Sequence, residues 1–287
     1  MHGNRLQLQK MRLLRPLPIR VKYYPWETPT SYEMRLACAN HLNRADLRAT
    51  AGLSPNQARF STAYPRAYLD ALAIFGDFGS RSFELPSDHR EFVERVMCLQ
   101  CSAGEIVHVR DPTSGYVCPK HAFWLQGYRP VTFRPIPEII DAEYRLRELL
   151  ANGRGNICGT TTFRICEELA SVGIDERQRL RREAETGVKL TPLVIYPETI
   201  QFVSLLTDPT FIRRITPFRE SKAQRYRYIE NIVPPELSSE GRTRVSSKLK
   251  LYSDRLESNL GEAWEALDRK LRFFQHRMTD SVVLWIL

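Results

Sequence analysis

Three cysteines and one histidine carry the clearest chemistry in this chain. Cys98 and Cys101 are separated by two residues, and after a further 16 residues Cys118 and His121 repeat the spacing. Zinc takes four thiolate or imidazole ligands in a tetrahedron, and a two-residue separation lets one tight turn aim both side chains at a single point. Cys98-Leu99-Gln100-Cys101 reads as one knuckle and Cys118-Pro119-Lys120-His121 as the other. With all four ligands supplied by protein the shell is closed, so one structural Zn2+ is expected. A catalytic zinc would keep a position open. His108, inside the intervening loop, is the alternative fourth ligand, but His121 has the knuckle spacing. A zinc deaminase needs a His-x-Glu ahead of its Cys-x-x-Cys, and the sequence has none.

Positioning the knuckles requires local structure between and around them. Val107-His108-Val109-Arg110 and Tyr116-Val117 read as two short strands joined by the turn-rich Asp111-Pro112-Thr113-Ser114-Gly115, a hairpin that would fold the knuckles together. A short helix near Asp88 to Val96 delivers Cys98. Further upstream, a helix is expected from Thr30 to near Asn43. Asn43 then caps a second helix, Leu47 to Ala51, which Gly52 ends. Ser54-Pro55-Asn56-Gln57 is a helix start: a capping serine, a proline at the first position and a glutamine three residues on from the cap. Two short helices around a glycine turn outline a helix-turn-helix, with Asn56, Gln57 and Arg59 as base-reading residue types on the second. Any small helical domain makes such turns, so the outline is weakly specific. Ala67 to Phe75 should be another amphipathic helix.

Downstream of the knuckles, Arg129 to Pro137 holds three prolines and reads as a linker. The remainder reads as helical: Glu138 to Leu150, Thr160 to Val172, Asp175 to Glu185, Pro197 to Thr207 and a long helix from about Arg242 to His276. The length of that last helix leaves room for a partner, a second copy included. Three units follow: an N-terminal arm and helix-turn-helix-like domain over 1–96, a zinc module with a short hairpin over 97–130, and a C-terminal helical domain over 131–287. The glycines of Asn152-Gly153-Arg154-Gly155-Asn156 follow no strand and lack the Lys-Ser/Thr of a phosphate loop, which argues against nucleotide binding.

Composition bounds the function. The chain has 287 residues, 43% apolar and 26% charged, enough for a substantial core. Its formal charge of +9 suits a polyanion or an acidic protein surface. Six Lys or Arg against one acid fall within residues 1–30, close to Tyr23, Tyr24 and Trp26, where Pro16, Pro18 and Pro25 forbid a long helix and leave an extended arm. A second basic region runs from Arg213 to Lys250, with ten Lys or Arg against four acids and interleaved Phe211, Phe218, Tyr226 and Tyr228. Charge with interleaved aromatics fits a solvated helix face, a basic docking face for another protein, or a nucleic-acid groove, for which Arg213, Arg214, Arg225 and Arg227 are the candidate contacts. Six cysteines, three of them knuckle ligands and the others (Cys38, Cys158, Cys166) scattered, point to a reducing compartment. No signal peptide is read at the N-terminus and no run approaches a membrane span, so a soluble, intracellular protein is expected.

Two segments together resemble the TniQ family of transposition proteins. The first is Arg15-Pro16-Leu17-Pro18-Ile19-Arg20 with Pro25-Trp26-Glu27-Thr28-Pro29-Thr30-Ser31-Tyr32-Glu33-Met34-Arg35-Leu36-Ala37, which resembles that family's proline-rich lead, Glu-Ser-type helix start and Arg-Leu-Ala helix. The second is Cys98-x-x-Cys101 with Val117-Cys118-Pro119-Lys120-His121, which resembles its zinc module. Both lie in the first 130 residues, in the family's order. Where many members add a Cys-Pro-x-Cys for a second metal, this chain reads Gln126-Gly127-Tyr128-Arg129-Pro130, and the start signal is altered to Glu27-Thr28-Pro29-Thr30-Ser31. The resemblance therefore implies a one-zinc module. It further implies a non-catalytic adaptor, linking target DNA or an RNA-guided targeting complex to an AAA+ ATPase that recruits a transposase. A free-standing helix-turn-helix DNA-binding regulator is the alternative.

Overall fold

The computed structural model of the chain describes residues 14–52, 65–78, 83, 94–126, 130–152, 161–216, 220–233 and 237–273. The N-terminal helices begin where side chains can satisfy the first free N–H groups. Thr28 caps α1 (Pro29–Ala39) by accepting from the Ser31 amide, with Pro29 at the first position, and Asn43 caps α2 (Arg44–Thr50) by accepting from the Asp46 amide at 2.8 Å. Gly52, at φ +79°, lies just beyond the end of α2. With α3 (Arg66–Gly76) these helices enclose a core of Tyr32, Leu36, Leu47, Tyr68, Leu72 and Phe75. Gly76 lets α3 approach α1, since a Cβ there would fall 1.7 Å from the Tyr32 hydroxyl.

The extended lead is not a free arm over its described length. Leu17 donates its amide to the Phe75 carbonyl at 2.9 Å, Leu14, Leu17, Val21 and Tyr23 pack on the helical core, and Tyr24 is buried against Val107 and Val109. Its prolines keep the segment extended as the sequence predicts, but its apolar and aromatic side chains find more surface to cover on the chain itself than in solution. The candidate base-reading residues Asn56, Gln57 and Arg59 lie outside the described residues.

Five two-residue strands follow among the described residues. β1 (Arg95–Val96) pairs antiparallel with β2 (His108–Val109), and β3 (Val117–Cys118), β4 (Phe123–Trp124) and β5 (Val131–Thr132) form a separate three-stranded antiparallel sheet. This corrects the expected hairpin. Both strands exist where the sequence puts them, but each pairs with a segment beyond its own knuckle instead of across the Asp111 to Gly115 turn. Arg95 and Val96, read as the end of a helix, are strand. The proline-bearing segment after the knuckles likewise carries β5, and Phe133 beyond it is buried in the main core.

The C-terminal helices are α4 (Pro137–Ala151), α5 (Thr161–Gly173), α6 (Glu176–Thr186), α7 (Thr191–Val194), α8 (Tyr196–Leu206), α9 (Pro209–Ile215), α10 (Lys222–Ile232) and α11 (Ser239–Phe273). Buried Ile139, Leu146, Phe163, Leu169, Ile200, Phe202, Val245 and Leu249 join one core, and Tyr116, Val117 and Trp124 of the sheet enter it. Helices α9 and α10 escaped the sequence reading because their charge hid their caps. Asp208 caps α9, and Ser221 with Gln224 forms a complete capping box at α10. Among the described residues, no helix is long and apolar enough to cross a membrane.

Candidate metal centre

The four ligand atoms of Cys98, Cys101, Cys118 and His121 converge, all within 4.8 Å of one another. Each knuckle is a tight turn. In the first, the Ser102 amide donates to the Cys98 carbonyl at 3.0 Å and the Gly104 amide to the Leu99 carbonyl at 2.6 Å, with Ala103 and Gly104 at positive φ. In the second, the amides of His121 and Ala122 both turn back on the Cys118 carbonyl, at 3.3 and 2.9 Å.

Nδ1 of His121 lies 3.5 Å from Sγ of Cys98, 3.2 Å from Cys101 and 3.7 Å from Cys118, and the Cys101 and Cys118 sulfurs are 3.9 Å apart. A tetrahedral zinc with ordinary bond lengths sets sulfur–sulfur edges of about 3.8 Å and sulfur–nitrogen edges of about 3.6 Å, so the donor set fits such an ion. The chemistry fits too. Burial pushes the Cys118 thiol up to about 12, and burial together with the neighbouring Cys98 raises Cys101. Three thiolates in one half-buried spot repel each other unless a divalent cation takes the place of their protons. Phe123 and Leu125 pack on Cys98 and Cys118 and keep water from the inner side. His108, the alternative ligand, sits on β2 with Nδ1 3.4 Å from a Glu94 carboxylate oxygen, outside the cluster.

Each knuckle is held by a fully buried glutamate from a different part of the chain. On the N-terminal side, Glu27 takes two bonds from Arg35 Nη1 at 2.7 and 2.8 Å and one from Ser31 Oγ at 2.9 Å. Ser31 Oγ in turn accepts from the His108 amide at 2.9 Å, the Thr28 amide donates to the His108 carbonyl at 2.8 Å, and the Arg110 amide donates to the Trp26 carbonyl at 2.9 Å. The first knuckle is reached through Arg35, which also binds Glu105 at 2.5 Å, and through the Tyr24 hydroxyl, which donates to the Ser102 carbonyl at 3.0 Å. Burial pushes the Glu27 carboxyl above its ordinary range, against the pull of Arg35 and Ser31.

On the C-terminal side, Glu143 of α4 accepts from the Gly115 amide at 2.9 Å, the Val117 amide at 3.2 Å, the Tyr196 hydroxyl at 2.7 Å and Arg147 at 2.7 Å. Gly115 has to be glycine, because a Cβ would stand about 2.5 Å from Leu146 and from the Tyr196 hydroxyl. Sequence reasoning named Glu27 within the resembling helix start, with no buried role, and passed over Glu143, since neither belongs to a spaced ligand motif. A signal existed for Glu143, which falls in the apolar stripe of Ile139, Ala142, Leu146 and Leu149, where a carboxylate needs buried partners.

The expected nucleic-acid contacts separate on inspection. Arg213, Arg214 and Arg227 are exposed on α9 and α10, Arg214 lying over the Tyr228 ring at 5.0 Å. Arg225 is 2% exposed, bound to the Glu257 carboxylate and the Glu220 carbonyl, so its charge is used inside the chain. Several other cations of this region are paired as well: Lys222 with Asp254, Lys248 with Glu168 and Lys250 with Glu230.

Fold and site together define a mainly helical chain with small antiparallel sheets and a three-cysteine, one-histidine cluster that could hold a zinc-type ion. No family model, curated protein or solved structure matches it.

Proposed function

We propose that this chain is a non-catalytic, zinc-stapled adaptor of DNA transposition, linking target DNA or an RNA-guided targeting complex to an AAA+ ATPase and transposase. The observation that carries the reading is the bonding of the first TniQ-like segment to the stretch that joins the two knuckles of the second. Residues 26–31 are bonded to β2 and to Arg110 beside it, between the two knuckles, although Ser31 and His108 are 77 positions apart in sequence. They make one folded unit. Cys98, Cys101, Cys118 and His121 would hold the ion, which supplies folding free energy where the strands are only two residues long. The cluster spends all four positions on protein, which leaves none for a substrate.

The test is co-sedimentation with the cognate ATPase filament, together with targeted insertion in cells. Full-length protein should be recovered with the filament, and deleting it should abolish targeted insertion while the transposase stays soluble and intact. A version lacking residues 1–13 asks whether the basic lead makes the contact without removing core residues such as Tyr24. Recovery of neither form, with insertion unaffected by deletion, would sink the adaptor reading and leave the free-standing regulator.

A further inference from the structure

Helix α11 carries a polar stripe along one face. Ser239, Arg242, Thr243, Ser246, Ser247 and Lys250 recur at helical spacing and line a cleft of about 430 Å³, closed on the other side by Glu230 of α10 and Val233 just beyond its end. Four hydroxyl-bearing and two cationic residues thus line one cleft, on a helix that also carries the buried Val245 and Leu249. The hydroxyls are not all occupied by the helix itself. Thr243 donates to the Ser239 carbonyl at 3.0 Å, but the Ser246 hydroxyl has no partner among the described residues, although the residue is only 9% exposed.

A buried hydroxyl without a partner is disfavoured in a folded chain unless something else satisfies it. The cations divide in the same way. Lys250 is tied to Glu230 and lies over the Tyr226 ring, whereas Arg242 is exposed and has no ion pair among the described residues. With Glu230 already matched by Lys250, the guanidinium of Arg242 is the uncompensated charge among the described residues of the cleft. Guanidinium and hydroxyl groups set side by side make charge-assisted and neutral hydrogen bonds to the same acceptor, which describes a tetrahedral oxyanion.

We infer that the cleft between α10 and α11 is a phosphate seat, with Arg242 as the ionic contact and the Ser246 hydroxyl as the inner donor. Thr243 and Ser247 flank the bound group, and Lys250 offsets the charge of Glu230 on the cleft wall. The phosphate is either a backbone phosphodiester or a free phosphate group. This seat goes beyond the adaptor reading and stands whether or not the chain takes part in transposition.

The test uses the full chain and two probes at low salt: inorganic phosphate by calorimetry and a labelled DNA duplex by anisotropy. Arg242→Glu should weaken binding of the probe that uses the seat by roughly tenfold or more. Ser246→Ala should also weaken it, while leaving the melting temperature unchanged or higher, because the variant removes a hydroxyl that makes no bond in the folded chain. That pairing separates a ligand contact from a packing role. If phosphate competes with duplex and both variants weaken both probes, the seat takes a nucleic-acid backbone. If phosphate binding falls while duplex binding is indifferent to the variants, the seat takes a free phosphate group. Indifference of both probes to both variants, or no binding of either, overturns the inference.

Discussion

The two knuckles of the metal cluster are built from the same spacing but are supported very differently. Cys118 and His121 sit at the end of β3, whose Val117 belongs to the main C-terminal core together with Tyr116 and Trp124. Cys98 and Cys101 follow β1, whose sheet has two strands of two residues and whose buried apolar neighbours are Tyr24, Val107 and Val109. One knuckle has a domain behind it and the other has a lead segment and a network of polar bonds. A metal ion held by both therefore ties a weakly supported half to a strongly supported one, and the weaker half depends on it more.

The sharpest way to break this comparison is to remove the metal. Structural zinc contributes on the order of 10 kcal/mol in small modules, so chelation or Cys118→Ala should abolish the fold of the first knuckle. Hydrogen exchange followed by mass spectrometry should show protection lost over residues 94–110 and retained in α4, α5 and α8. Uniform loss across all of them would mean that the two sides are equally dependent, and unchanged protection everywhere would remove the structural role of the ion.

Next in size is the contrast between the two buried glutamates. Glu143→Ala leaves the Gly115 and Val117 amides and the Tyr196 hydroxyl without their acceptor inside the core, at a cost of about 3–5 kcal/mol. Glu27→Ala should cost less, about 1–3 kcal/mol, since Arg35 keeps Glu105 and the Lys22 carbonyl. Urea unfolding of metal-loaded protein measures both. A larger loss for Glu27 would reverse the proposed order of support.

The smallest expected effect separates the N-terminal helices from the rest by acid. Glu33 in α1 is buried, which raises its pKa, but bonds from Arg48, Arg44 and Tyr68 outweigh this and hold the carboxyl below its ordinary value. A carboxylate depressed in the folded state contributes stability that is fully present above the unfolded pKa of about 4.3 and is lost as pH falls through the lower folded value. The stability difference between the wild-type chain and Glu33→Gln should accordingly be constant near neutrality and shrink below about pH 4. A difference that grows on acidification would mean that Glu33 is held neutral instead.

How much could be read in advance depended on how far apart the interacting residues lie. The donor set Cys98, Cys101, Cys118 and His121, the Asn43 cap and the approximate spans of α1, α4, α5, α6, α8 and α11 all follow from neighbours within a turn or two, because ligand spacing, capping and helical periodicity are local properties of the chain. The strands were placed correctly but paired wrongly. Pairs of residues gain so little from a two-residue ladder that partner choice falls to whichever apolar face buries them, here the N-terminal lead for β2 and the α4–α8 core for β3. The same reason hid the bonding roles of Glu27 and Glu143, made Arg225 an internal ion pair with Glu257 and set the polar stripe of α11 against α10. Alone on the sequence each is one charged or polar residue among many; what it does is decided by which distant groups are brought within hydrogen-bond reach once water has been excluded around it.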